Sequence, residues 1–111
     1  MILCSSAKEW DKSSSGTCKG ETEPVPGPMY PSSLPPAVAV VDEVLSRMPV
    51  KVELLNITRL SQLRKDGHPS VYGIDGDKGN DCSHWCLPGV PDTWNQLWYA
   101  MLAHVENKAR M

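Results

Sequence analysis

The stretch DCSHWCLPGVPDTWNQLWYAML, residues 81–102, sets a carboxylate and an imidazole three positions apart beside two cysteines, directly ahead of a patterned helix. Asp81 and His84 are separated by about one turn of backbone. A tight turn at this spacing can bring the carboxylate to one imidazole nitrogen and leave the other to take a proton from a hydroxyl nucleophile. The same spacing also fits a loop Asp that caps a nearby backbone group beside a solvated His. Downstream, Trp94, Leu97, Trp98, Met101, Leu102 and Val105 mark one helical face. Thr93 and Gln96 stand at capping-box spacing, with Pro91 just ahead. Trp94 and Trp98 lie on the apolar stripe and read as core, whereas His104 falls on the polar side.

Upstream of this stretch, three more elements are legible. Ala37, Val38, Val41, Val44, Leu45 and Met48 recur at helical spacing until Pro49 stops the pattern. VKVELLNI, residues 50–57, alternates and then becomes fully apolar, as a strand entering a buried sheet does. Thr58 can cap a short helix, RLSQLRK, that ends at the Asp66–Gly67 turn. Residues 66–80 are rich in Gly and Asp and read as loop, and residues 1–36, with SSSG and PVPGPMYPSSLPP, read as an irregular segment laid over a larger body. The order helix–strand–helix–loop–helix is a piece of an α/β layered fold. One strand does not make a sheet, so residues 37–111 read as the last part of a domain whose other strands lie elsewhere.

A chain of 111 residues has room for one small domain, and its composition is that of a folded protein, 41% hydrophobic and 22% charged. A formal net charge of -2 without a basic run argues against nucleic acid or an anionic membrane surface as partner. The longest clean apolar run, AVAVV at 37–41, is far below the roughly 20 residues that cross a bilayer. MILC is too short for the apolar region of a signal peptide and is followed by Lys8 and Glu9. The four cysteines, Cys4, Cys18, Cys82 and Cys86, fit disulfides in an oxidising compartment, or free thiols or a metal site in a reducing one. Cys18, Cys82, His84 and Cys86 are suitable zinc donors, but C-x-H-x-C is not the usual pair spacing of a structural zinc site. Asn56-Ile57-Thr58 is an N-glycosylation sequon, set where Asn56 and Thr58 are expected to serve a strand-to-helix junction instead.

Four stretches together carry a resemblance: KEW at 8–10, GTCKGETEP at 16–24, VELLNITRLSQLRKDGHPSVYG at 52–73 and DCSHWCLPGVPDTWNQLWYAML at 81–102. With them the chain resembles the C-terminal part of the plant trichome birefringence-like proteins, polysaccharide O-acetyltransferases with a GDSL/SGNH-type fold. The resemblance implies a C-terminal fragment of an α/β, SGNH-like three-layer fold. It also implies that His84 is the general base and Asp81 its orienting partner, and that a Ser in a GDS motif receives an acetyl group and hands it to a sugar hydroxyl. No GDS occurs in this chain, and Met1 to Ser6 depart from the family pattern ahead of Trp10. The expected protein is therefore an acetyltransferase fragment lacking its nucleophile; the alternative is a non-catalytic remnant or binding module of the same family.

The resemblance further implies that Cys18 bridges to one cysteine of the 82–86 turn, Cys82 for preference, and that Cys86 pairs with a part of the protein upstream. Trp85, His68 and Arg64 are the expected substrate-groove residues, with turn and helix-end roles as their plainer readings. The implied partners are a cell-wall polysaccharide and an acetyl donor, with no metal and no further cofactor, and the implied location is the Golgi lumen.

Overall fold

The computed structural model describes residues 17–73 and 80–110. Helix α1, Pro36–Arg47, starts with a proline in its first turn, where the missing N–H is no loss. It ends as Met48 turns extended ahead of Pro49. Helix α2 is short, Thr58–Gln62, and a single 3-10 turn, Lys65–Gly67, follows it. Helix α3, Val90–Ala109, is the longest element, and the only other regular pairing among the described residues is an antiparallel bridge between Ser70 and Asp81.

Two local expectations are corrected. Residues 50–57 form no strand, and no backbone hydrogen bond among the described residues ties 50–56 to another segment. A strand exists only as part of a ladder, because its N–H and C=O groups need partners. The alternation Val50, Val52, Leu54 instead faces solvent. The start of α3 is also earlier than the Thr93 and Gln96 spacing indicates. The Gly89 N–H donates to the Asp92 carboxylate at 2.6 Å, and the Asp92 N–H returns to the Gly89 carbonyl at 3.0 Å. An acid in the first turn also suits the positive end of the helix dipole.

The N-terminal described segment, 17–35, has no helix or strand and lies against α2. The Val25 N–H donates to the Leu63 carbonyl at 2.8 Å, and the Gln62 amide reaches the Ser33 carbonyl at 3.4 Å. The buried apolar residues are few: Cys18, Tyr30, Val38 and Val90. Lys65, also buried, sets its ammonium 5.4 Å from the centre of the Tyr30 ring. The indole N–H of Trp94 donates to the Ser61 hydroxyl at 3.1 Å and so fastens α3 to α2. Beyond that point the apolar stripe of α3 is open, with Trp98 53% exposed and Leu97, Leu102 and Val105 exposed beside it. Expected as core, Trp98 is only half covered by the described residues. An open cavity of about 370 Å³, lined by residues of α1, the 54–58 segment and α3, lies beside Trp94 and Trp98.

Candidate active site

The turn 81–86 is built from its own side chains first. The Asp81 carboxylate accepts from the backbone N–H groups of Ser83 at 3.2 Å and His84 at 3.0 Å, and from the Ser83 hydroxyl at 3.2 Å. An Asp whose side chain closes on the backbone two and three residues ahead is a local solution that Asp favours over a helix or strand. The wrap brings the His84 ring over the same carboxylate, and Nδ1 donates to it at 2.9 and 3.0 Å. The two side chains are unequal in exposure: Asp81 is 16% exposed and His84 is 70% exposed. Four donors on one carboxylate favour its charged form, and the pKa of Asp81 lies below its ordinary value. The His84 backbone N–H is the largest cause; partial burial opposes it, and the Ser83 N–H and the His84 ring add to it.

Three further attachments fix the turn to the rest of the chain. The Ser70 N–H donates to the Asp81 carbonyl at 2.9 Å and the Asp81 N–H returns to Ser70 at 3.1 Å. The Cys86 N–H donates to the Gly67 carbonyl at 2.9 Å, and Cys82 is bonded to Cys18 with their Cα atoms 5.6 Å apart. That bond is the pairing the resemblance implies, and it removes two donors from the alternative zinc set. Cys86 is a free, exposed thiol, and Cys4 and Trp10 lie outside the described residues.

The remaining site residues are placed differently from one another. His68 is 7% exposed, so it faces no open groove among the described residues. Its Nδ1–H donates to the His84 carbonyl at 2.6 Å, and its ring stacks on Trp85 with centroids 3.9 Å apart. Trp85 is half-buried, held between His68 and the edge of Trp94, whose ring centre is 5.2 Å away. Arg64 forms a bidentate pair with Asp66, 2.9 Å for each bond, so its charge is already matched. Neither Ser83 nor Ser70 is poised to be a nucleophile: their hydroxyls are turned to Asp81 and to the Asn80 side chain, each at 3.2 Å.

Gly67 and Gly73 are site residues that motif reading did not single out. A Cβ at Gly67 would stand 2.8 Å from Val90 Cγ2 and 3.2 Å from the Trp85 ring, and one at Gly73 would stand 2.5 Å from Asp81 Cβ. Glycine beside a polar turn is the signature of a close backbone approach, and both lie in the KDGHPSVYG stretch.

Residues 4–101 match the sequence profile of PC-Esterase, the GDSL/SGNH-like acyl-esterase family found in Pmr5 and Cas1p. The chain belongs to this family. It is 60% identical over 95 residues to protein trichome birefringence-like 38 of Arabidopsis thaliana, covering 86% of this chain and 24% of that protein. Identity to trichome birefringence-like 42 is 57% over 97 residues, 86% of this chain and 27% of the relative. To Arabidopsis protein trichome birefringence it is 46% over 106 residues, 87% and 17% respectively. The chain thus spans about a quarter of the length of the curated relatives it matches most strongly. No solved structure matches it. The family is GDSL/SGNH-like, while the residues described here are helical and irregular, without a sheet. No helix among them is long and apolar enough to cross a membrane.

Proposed function

We propose that Asp81 and His84 are the acid–base half of a Ser-His-Asp site that transfers acetyl groups to hydroxyls of a plant cell-wall polysaccharide in the Golgi lumen. The observation that carries this reading is the paired geometry. Nδ1 of His84 is engaged by a locally charged Asp81, and the ring is otherwise open to solvent, which frees Nε2 for proton transfer. In the reaction, His84 takes the proton of a Ser hydroxyl as its oxygen attacks the acetyl carbonyl, and returns it to the departing donor group. It then takes the proton of a sugar hydroxyl, which displaces the Ser oxygen from the acetyl carbon, and gives that proton back to Ser. General-base assistance of this kind is typically worth about 10²–10⁴ in rate.

The nucleophile and the sheet belong, on this reading, to the part of a family-length domain that this sequence does not contain. That part would cover the open stripe of α3 and the apolar side chains of 50–54, which accounts for large apolar groups left in water. The test is a graft in which residues 17–110 replace the matching stretch of trichome birefringence-like 38, assayed for acetyl transfer to polysaccharide hydroxyls. Activity is expected in the graft, with loss of about 10²-fold or more on His84→Ala and unchanged folding. A His84→Ala graft as active as its parent refutes the assignment.

A further inference from the structure

We propose that His68 is a positioning residue of the acyl-transfer site: its Nδ1–H holds the main-chain carbonyl of His84, while Asp81 holds the ring of the same residue. The inference rests on the functional reading above for the reaction, and on geometry alone for the clamp. A carbonyl only accepts, so the 2.6 Å contact requires the proton to be on Nδ1 of His68. The ring that donates it is buried against Trp85, with centroids 3.9 Å apart and planes tilted by 36°, so it has little freedom to swing away. Trp85 is in turn backed edge-on by Trp94 of α3.

The neighbouring residue strengthens the arrangement. The Gly67 carbonyl accepts the Cys86 N–H at 2.9 Å, so residues 67 and 68 grip the turn at two successive places on its far limb. Ser70 grips its near limb at Asp81. The KDGHPS loop is thus the plate behind the catalytic turn, and His68 is the one side chain of that plate that acts on His84 directly. Its imidazole holds the peptide that carries the base and touches no reacting atom. Removing such a support moves the base by fractions of an ångström, and displacements near 1 Å cost up to about 10²-fold in rate.

The experiment uses two substitutions in the 111-residue chain and in the graft described above. His68→Phe keeps a ring against Trp85 and removes the donor. His68→Asn places an amide N–H near the position of Nδ1. In the unaltered chain at neutral pH, two-bond proton–nitrogen correlations are expected to show His68 protonated at Nδ1. In His68→Phe the turn loses the bond to the His84 carbonyl. The His84 backbone N–H, which the Asp81 carboxylate holds, should then exchange up to roughly tenfold faster as the turn opens more often, and His68→Asn should restore it. In the graft, His68→Phe should lower kcat by roughly ten- to a hundred-fold with little change in KM, and His68→Asn should recover most of it.

Unchanged His84 exchange in a folded His68→Phe chain overturns the clamp, whatever the graft does. If His68→Phe does not fold, the tautomer in the unaltered chain decides: a proton on Nε2 alone overturns the proposal. An active His84→Ala graft, with His84 exchange still quickened by His68→Phe, overturns the acyl-transfer reading and leaves the clamp standing.

Discussion

In Gly73→Ala, the added Cβ would stand 2.5 Å from the Asp81 Cβ and 3.0 Å from its Oδ2. Carbon atoms rest about 3.5–4.0 Å apart, so roughly 1 Å of overlap must be relieved. The main chain of Asp81 cannot give way cheaply, because two hydrogen bonds hold it to Ser70 and the next residue is disulfide-bonded to Cys18. The Gly73 side is tied as well, by its N–H to the Ser70 carbonyl at 3.2 Å and by the Tyr72 N–H to the Pro69 carbonyl at 2.9 Å. Rotation of the Asp81 side chain relieves only the Oδ2 contact, because its Cβ is fixed to the backbone. The rest must come from a shift of the Asp81 main chain, and both movements pull the carboxylate from the 2.9 Å bond to His84 Nδ1. Overpacking of this kind costs about 1–3 kcal/mol. A shift near 1 Å in the orienting group costs about a hundredfold in rate. Both are measurable: denaturant unfolding of the chain for the first, acetyl transfer by the graft for the second. Gly27→Ala is the control, since its φ of +98° carries conformational strain while no atom lies within 4 Å of the added Cβ. It should destabilise without touching kcat. Activity in the Gly73→Ala graft equal to that of its parent would refute the claim that Gly73 is needed to seat Asp81.

Two further outcomes follow from the same geometry. Reducing the Cys18–Cys82 bond frees a separation of 64 residues, worth roughly 4 kcal/mol in the chain-entropy account; equal unfolding midpoints with and without reductant would refute this. Burial holds the pKa of His68 below its ordinary value near 6.5, against the pull of the His84 carbonyl and of the Asp81 and Asp66 carboxylates. Its contribution is therefore complete above about pH 6.5 and is lost as pH falls through the lower folded value. Asp81, also depressed, contributes above its ordinary value near 3.8 and loses that contribution on further acidification. Stability measured at a series of pH values should thus fall in two stages, the first of them removed by His68→Phe; a first stage that survives this substitution would contradict the assignment.

What the sequence discloses tracks how local each feature is. The Asp81–His84 contact is legible because all four donors to the carboxylate come from residues 83 and 84, within reach of one turn. Helices α1 and α3 are legible because proline and a repeating apolar face mark them within their own length. The start of α3 was misplaced because Asp92 caps the backbone of Gly89, a choice that Thr93 and Gln96 spacing does not exclude. The strand at 50–57 fails for a different reason: alternation records which side chains are to be buried, but a ladder needs a second strand, and none among the described residues pairs with it. The motif around His68 fits a groove residue and a turn residue equally well. Only the fold shows that it sits behind the turn, because the 16-residue separation to His84 is closed by the Ser70–Asp81 bridge.

On the proposed reading, the site divides into a part this chain holds by itself and a part it meets elsewhere in the domain. Every attachment of the 81–86 turn described above comes from within residues 18–94: the disulfide, the 67–73 loop, and Trp94 behind Trp85. On the proposed reading, the Asp81–His84 pair is organised by this chain alone, which is the condition for preorganised catalysis. Under the same proposal, the distance from that pair to a Ser elsewhere in the domain would depend on the open faces of α1 and α3. Those are the surfaces where Val40, Val44, Trp98 and Leu102 are exposed. Lesions in the two parts are separable in kind. One that loosens the turn alters the Asp81–His84 hydrogen bonds themselves, while one on the open faces leaves those bonds intact and changes only how far His84 stands from its partner. The spectroscopic state of His84 in the isolated chain distinguishes the two, because only the first kind of lesion reaches it.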